Sequence, residues 1–260
     1  MIETVFAEVK EWFENYLKNF QFDDKNDQSQ IDLKYRHSYN VCEISRDIAS
    51  SLSSEENEID TARTIGLLHD IGRFEQYKSY KTFSDRHSVD HGNLGVRIIK
   101  ENAVLDNIPE KSKEIILKSI YYHNKAHLPE GLNSSILRFC KLIRDADKID
   151  IFRVFVEHYH NKTANRVLVQ GVTNQPEISE NVFEKLSSGK VISYGELRTM
   201  EDLKLMQLAW VYDINYKRSL EIIKEQEYLK SIYNTMVPSD KAAKFYRKIN
   251  KYLENILDHL

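Results

Sequence analysis

The chain has 260 residues, 41% of them apolar and 30% charged, with a formal charge of −3 at neutral pH. That balance suits an ordinary globular core and gives no basic footprint for a nucleic-acid polymer, although local charge still leaves a small anionic substrate open. Eight glycines and four prolines are few for this length, which disfavours a strand-and-turn architecture and suits long helices.

Taken in order, residues 2–20 repeat Val5, Val9, Trp12, Phe13, Tyr16, Leu17 and Phe20 at helical spacing. Glu3, Glu8 and Glu11 interrupt the apolar side of this stretch, unlike a signal peptide, and no apolar run reaches the length of a membrane span. The polar residues 23–30 read as a loop. A second helix is predicted from Asp32, with His37, Val41, Ile44, Ile48 and Leu52 on one face. A third carries Ile59, Ala62, Ile65, Gly66 and His69 in register and is expected to end near Arg73.

Residues 74–89 show no clean period and read as an irregular connection, long enough to suspect a lid or substrate loop. A helix from Asp90 places His91, Leu94, Gly95 and Ile98 on one face. After a polar break around Pro109, the next aligns Ile116, Ile120 and His123. From Ser134 the stripe reads Cys140, Ile143, Asp147, Ile151 and Val154, with Asp145 on the other side. Beyond Asn161 the pattern predicts a short helix within 177–186, a short strand at 191–194, a long helix over 199–236 with Thr199 and Asp202 as a capping box, and a last helix over 241–260. Cys42 and Cys140 form no paired-thiol motif and read as small buried hydrophobes of a reducing compartment. The expectation is one all-α domain, a compact multi-helix bundle spanning 1–260, cytoplasmic and without a membrane partner.

Five of these helices turn a polar residue toward the core: His37, His69 with Asp70, His91, His123 and Asp147. Burying so many polar groups without a shared partner costs several kcal/mol each, roughly, against a total stability of about 5–15 kcal/mol. One or two divalent metal ions resolve the conflict, because imidazole and carboxylate suit Mn, Fe, Ni, Co or Zn, with Mg also allowed.

The order of Arg36-His37-Ser38, Leu67-Leu68-His69-Asp70-Ile71-Gly72-Arg73 and Asp145-Ala146-Asp147-Lys148-Ile149-Asp150 resembles the HD superfamily of metal-dependent phosphohydrolases, over residues 34–155. The resemblance implies an HD-like helical core. Residues 161–260, a C-terminal helical extension, carry no readable motif and are left open to shaping the pocket, covering the core or forming a homodimer surface. It implies that His37, His69, Asp70 and Asp147 hold one metal, with Asp70 bridging to a second. Asp90-His91-Gly92-Asn93-Leu94-Gly95 and Tyr122-His123-Asn124 look like the remaining ligand segments of the dinuclear branch.

By that resemblance the substrate is a nucleotide or another small phosphate ester, attacked by a metal-activated water. Asp70, Arg73 and Lys148 are the candidate catalytic residues, and Lys125, Arg144 and Tyr77 the candidate substrate contacts. Tyr77 is a candidate to stack on a base. The cyclic-dinucleotide branch carries a paired His-His and a Gly-Tyr-Pro signature, and neither follows His123 here. Two rivals stand beside hydrolysis: a di-iron oxygenase using the same six ligands to cleave a carbon bond with dioxygen, and a nucleotide-binding regulatory domain without turnover.

Overall fold

Helical periodicity governs the structure, a computed structural model that describes residues 2–161, 171–190 and 192–259. The helices are α1 (Ile2–Leu17), α2 (Lys25–Leu52), α3 (Glu56–Leu68), α4 (Ile71–Tyr80), α5 (His91–Glu101), α6 (Glu110–Tyr122), α7 (Ser134–Asn161), α8 (Glu180–Ser187), α9 (Met200–Ala209), α10 (Lys217–Glu225), α11 (Tyr228–Asn234) and α12 (Asp240–His259). No β-strand occurs among the described residues, only an isolated bridge between Thr173 and Thr199. The fold is therefore all-α. No described helix is long and apolar enough to cross a membrane. The chain divides into two compact units, Met1–Asp150 and Ile151–Leu260, a division that the expectation of one domain did not include.

In the first unit α2 and α3 pack most intimately, and α1, α4, α5 and α6 complete the bundle around them. Phe13 of α1 meets Tyr39 of α2 and Phe74 of α4 edge-on, with Phe13 and Phe74 both fully buried. Helix α2 starts at Lys25 and not near Asp32, because Asp24 caps it by accepting from the backbone N–H of Asn26 and Asp27, each at 2.9 Å. The predicted loop at 23–30 is thus mostly helix.

The third helix does not run through to Arg73. It stops at Leu68, and Asp70 (φ −103°, ψ 15°) opens a new helix, α4. Residues 71–80, expected to be irregular, are helical because Ile71, Phe74 and Tyr77 form one buried face. Lys81 ends that helix in the left-handed region at φ 53°. Helix α7 is buried on more than one side: Phe139, Leu142, Ile143, Ala146 and Ile149 are all at most 3% exposed. Asp145, expected on the outer side, is therefore fully buried.

In the second unit Thr199 and Asp202 form the expected capping box of α9. The buried Asp202 carboxylate also accepts from the Ser179 N–H and hydroxyl, both at 2.7 Å. The long helix expected over 199–236 is instead three. A 3₁₀ turn, Trp210–Asp213, ends the first, and Glu227 (φ 50°) separates the other two. No glycine or proline lies in that stretch to announce the breaks. Tyr194–Glu196 is a 3₁₀ turn and not the end of a strand, while Val191 lies outside the described residues.

Gly66 sets the distance between α2 and α3. A Cβ there would stand 2.8 Å from the Cys42 Cα, the Val41 carbonyl oxygen and the Ser45 hydroxyl oxygen. Gly66→Ala is expected to destabilise the fold by about 1–3 kcal/mol, read as a lowered midpoint in urea unfolding. Burial pushes the Cys42 thiol up to about 12 and the Cys140 thiol up to about 11. Both should resist a thiol reagent at pH 8 in the native protein and react fully once it is unfolded.

Candidate metal centre

Each histidine expected to face the core is buried at a helix or its end: His37 in α2, His69 after α3, His91 opening α5 and His123 after α6. Their Nδ1 atoms are all engaged. His37 Nδ1 lies 2.7 Å from Asp150 Oδ2, and His91 Nδ1 lies 2.9 and 2.7 Å from the two oxygens of Asp85. His69 Nδ1 lies 2.8 Å from the Gly66 carbonyl, and His123 Nδ1 2.7 Å from that of Ile120. Carbonyls and ionised carboxylates only accept, so every Nδ1 carries the proton and donates. With Nδ1 donating, the neutral form of each ring has its lone pair on Nε2, the tautomer that can ligate.

Those lone pairs converge. His37 and His69 bring their Nε2 atoms to 3.2 Å, and His91 and His123 to 2.8 Å. The Asp70 carboxylate stands between the pairs. Its Oδ2 lies 3.5 Å from His37 Nε2 and 3.7 Å from His69 Nε2, while its Oδ1 lies 3.2 Å from His91 Nε2 and 3.7 Å from His123 Nε2. Asp147 Oδ1 joins the first pair at 3.1 Å from His37 and 3.7 Å from His69.

Two acceptor nitrogens facing each other repel unless a cation lies between them. Donors held about 2.0–2.2 Å from a shared ion lie roughly 3 Å or a little more from one another. The donor set gathers His37, His69 and Asp70 as one candidate ion site and Asp70, His91 and His123 as another, with Asp147 beside the first pair of histidines.

The electrostatics prepare the donors. Burial opposes charge on Asp70, but Lys34 and the surrounding histidines outweigh it and hold its carboxyl well below the usual range. Asp147 is likewise held low by His37 and His69 against its own burial. Burial and Arg73 push His91 down, which keeps its imidazole neutral and ready to ligate. At His37 burial and Lys34 act downward, but Asp147 and Asp150 prevail and raise it, so an arriving metal competes with a proton there.

The other expected residues fall differently. Arg73 is engaged within the chain through one end of its guanidinium: Nη1 donates to Asp85 at 2.8 Å, to Gln76 at 2.9 Å and to the Phe83 carbonyl, and Nε lies 3.5 Å from Asp70. Tyr77 is 4% exposed, packs on Phe83 and Phe22, and donates its hydroxyl to Asp27 at 2.9 Å, so its ring is not free to stack on a base. Lys125 pairs with Asp90 and stands over the Tyr121 ring, and Arg144 Nη1 donates to the Lys125 carbonyl at 2.5 Å. Lys148 follows Asp147 on α7 and is half-buried.

Three residues at the site were not singled out from the sequence. Lys34 lies 2.7 Å from Asp70 Oδ2, and its position one helical turn before His37 was the available signal. Asp85 and Gln76 lie in residues 74–89, where the sequence shows no clean period. Gln76 is fully buried and donates to Asp85, Ser88 and the Val89 carbonyl.

Residues 35–151 match the family model of the HD domain. They enclose every donor of both clusters and both carboxylates that brace them. No curated protein and no solved structure matches the chain.

Asp70→Asn is expected to leave the chain without stoichiometric metal, measured by elemental analysis after dialysis, while far-ultraviolet dichroism stays helical. Chelation of the native protein should lower its melting temperature, because a ligand bound only by the folded state stabilises it by mass action. Gly72→Ala tests the second cluster by itself. Its Cβ would stand 2.2 Å from the His91 carbonyl oxygen, so α5 must move away from Asp70, and metal content should fall by the share held there.

Proposed function

Because the chain carries an HD domain, a module of metal-dependent hydrolases, we propose that it is a metal-dependent phosphohydrolase acting on a nucleotide or another small phosphate ester. The observation that carries this reading is the shared carboxylate, with one oxygen of Asp70 facing His37 and His69 and the other facing His91 and His123. Bound divalent ions would supply a polarised phosphoryl oxygen and a more acidic water for in-line attack.

The chain's own part is to hold and orient. His37, His69, Asp70 and Asp147 would retain one ion, and Asp70, His91 and His123 the other, with each imidazole kept in the ligating tautomer by its Nδ1 acceptor. Lys34, whose side chain is 17% exposed, puts an ammonium beside Asp70 where an anionic ligand would meet the centre. That placement suits neutralising charge on the equatorial phosphoryl oxygens. Lys148, adjacent to Asp147, is the second cation assigned to this task. Lys125, paired with Asp90, and Arg144, bonded to the Lys125 carbonyl, are the further cations proposed to contact the substrate, and Arg73 acts by fixing Asp85.

The complete six-donor set also favours a second reading, a di-iron oxygenase. The two separate on one set of samples. Protein purified without a histidine tag and stripped of metal is reloaded with Mn, Fe, Co, Ni, Zn or Mg. It is then offered phosphomonoesters and phosphodiesters while phosphate release and dioxygen uptake are followed. Metal-dependent release of phosphate or of a nucleoside monophosphate is expected. Dioxygen uptake by the iron form, with no ester opened by any form, would transfer the assignment to the oxygenase. Lys34→Met should lower kcat/KM by about 10²-fold while metal content stays at the native value.

A further inference from the structure

The two halves of the centre are braced differently. In the first, His37 leans on Asp150, a carboxylate 1% exposed within α7, and His69 leans on a carbonyl of its own helix. In the second, His123 also uses a carbonyl one turn back, but His91 depends on Asp85. Asp85 belongs to no α-helix. It opens a 3₁₀ turn, Asp85–His87, and its side chain is 32% exposed.

Four donors meet on that one carboxylate. Arg73 Nη1 and Gln76 Nε2 reach it from α4 at 2.8 and 2.9 Å, Asn124 Nδ2 reaches it from beyond α6 at 3.0 Å, and His91 Nδ1 comes from α5. The turn is thereby tied to every element that carries a donor of the second cluster: α4 follows Asp70, α5 begins with His91, and α6 ends at His123. Water competes for a partly exposed carboxylate far more readily than for Asp150. The first cluster also has Asp147, which has no counterpart among the residues of the second.

We infer that Asp85 is the positioning residue of the second half of the centre, and that this half gains and loses its ion independently of the first. Arg73, Gln76 and Asn124 act through Asp85, holding it so that the His91 proton stays on Nδ1 and its Nε2 stays bare. The inference rests on the metal-centre reading above and adds an order to it: the His37 side fills first and the His91 side is exchangeable.

The test is a Mn²⁺ titration of the full-length metal-free chain, with free and bound ion counted by electron paramagnetic resonance. The native protein should take up two ions, a tight one and a weaker one, with a spin-coupled signal appearing only at the second. Asp85→Asn puts an NH₂ group where only acceptors fit. It should keep the first affinity, weaken the second by about 10–100-fold, and lose the coupled signal. Asp150→Asn should do the reverse and weaken the first. Should Asp85→Asn fail to fold, Asn124→Ala removes one donor and leaves the carboxylate, and it should weaken the same second site by a smaller factor. A native chain that binds one ion, a variant at Asp85 that titrates like the native protein, or two sites that weaken together would overturn the inference while the metal-centre reading survives. A native chain that binds no Mn²⁺ would remove that reading itself.

Discussion

The first unit is organised by a conflict that its own side chains do not resolve: four imidazole lone pairs aimed at a buried carboxylate. A pair of neutral histidines brought Nε2 to Nε2 has no proton to share when each Nδ1 already donates elsewhere. Leaving such acceptors buried and unpaired costs about 1–3 kcal/mol apiece, a large part of a domain's net stability. The chain accepts this because the arrangement is complementary to a cation. Lys34 supplies one positive charge from within, at the Asp70 oxygen that faces His37 and His69. The Asp70 oxygen facing His91 and His123 has the Arg73 Nε 3.5 Å away, too distant for a good hydrogen bond.

The same constraint reaches back into the packing. For His37 and His69 to meet, α2 and α3 must approach to backbone contact, and Gly66 lies where a side chain would collide with Cys42 and Val41. For Asp70 to reach His91, the start of α4 must lie against the start of α5, and Gly72 lies there. The glycines of the Gly66–Gly72 segment are therefore spacers, and the donors between them sit at the seam where two helix pairs touch. The break between α3 and α4 belongs to this geometry. Leaving the helix at His69 and Asp70 lets one carboxylate present its two oxygens to opposite sides.

The donors were legible in the sequence because each is a polar residue on an apolar helical stripe, and a stripe is a local property. His37, His69, His91 and His123 could be read that way, and so could the all-α class. What was not legible depended on contacts between segments. Asp85 lies six residues before His91 in a stretch with no period, and only the folded chain brings Arg73, Gln76 and Asn124 onto it. Arg73 reads as a phosphate ligand because it adjoins the signature, and the fold adds a bond from its Nη1 to Asp85 that the sequence does not show. Tyr77 read as a loop aromatic because the face it shares with Ile71 and Phe74 was hidden by the charged residues between them. The breaks at 210–213 and 227 left no trace, since neither uses glycine or proline.

In donor chemistry the halves are closely matched. Each pairs one imidazole braced by a carboxylate with one braced by a carbonyl, and each takes one oxygen of Asp70. A carboxylate brace makes its imidazole the more basic ligand, so each half has one strong and one ordinary nitrogen donor. Any difference in how the halves hold an ion must come from what is not matched: Asp147 on one side only, and a brace that is 1% exposed on that side against 32% on the other. Burial of the brace controls how often water can take the place of the imidazole N–H, and with it how long the tautomer persists. A centre built this way keeps one position fixed by the helical core and sets the other by a surface turn. That turn, and not the ligands themselves, is where the chain can vary the second site without disturbing the first.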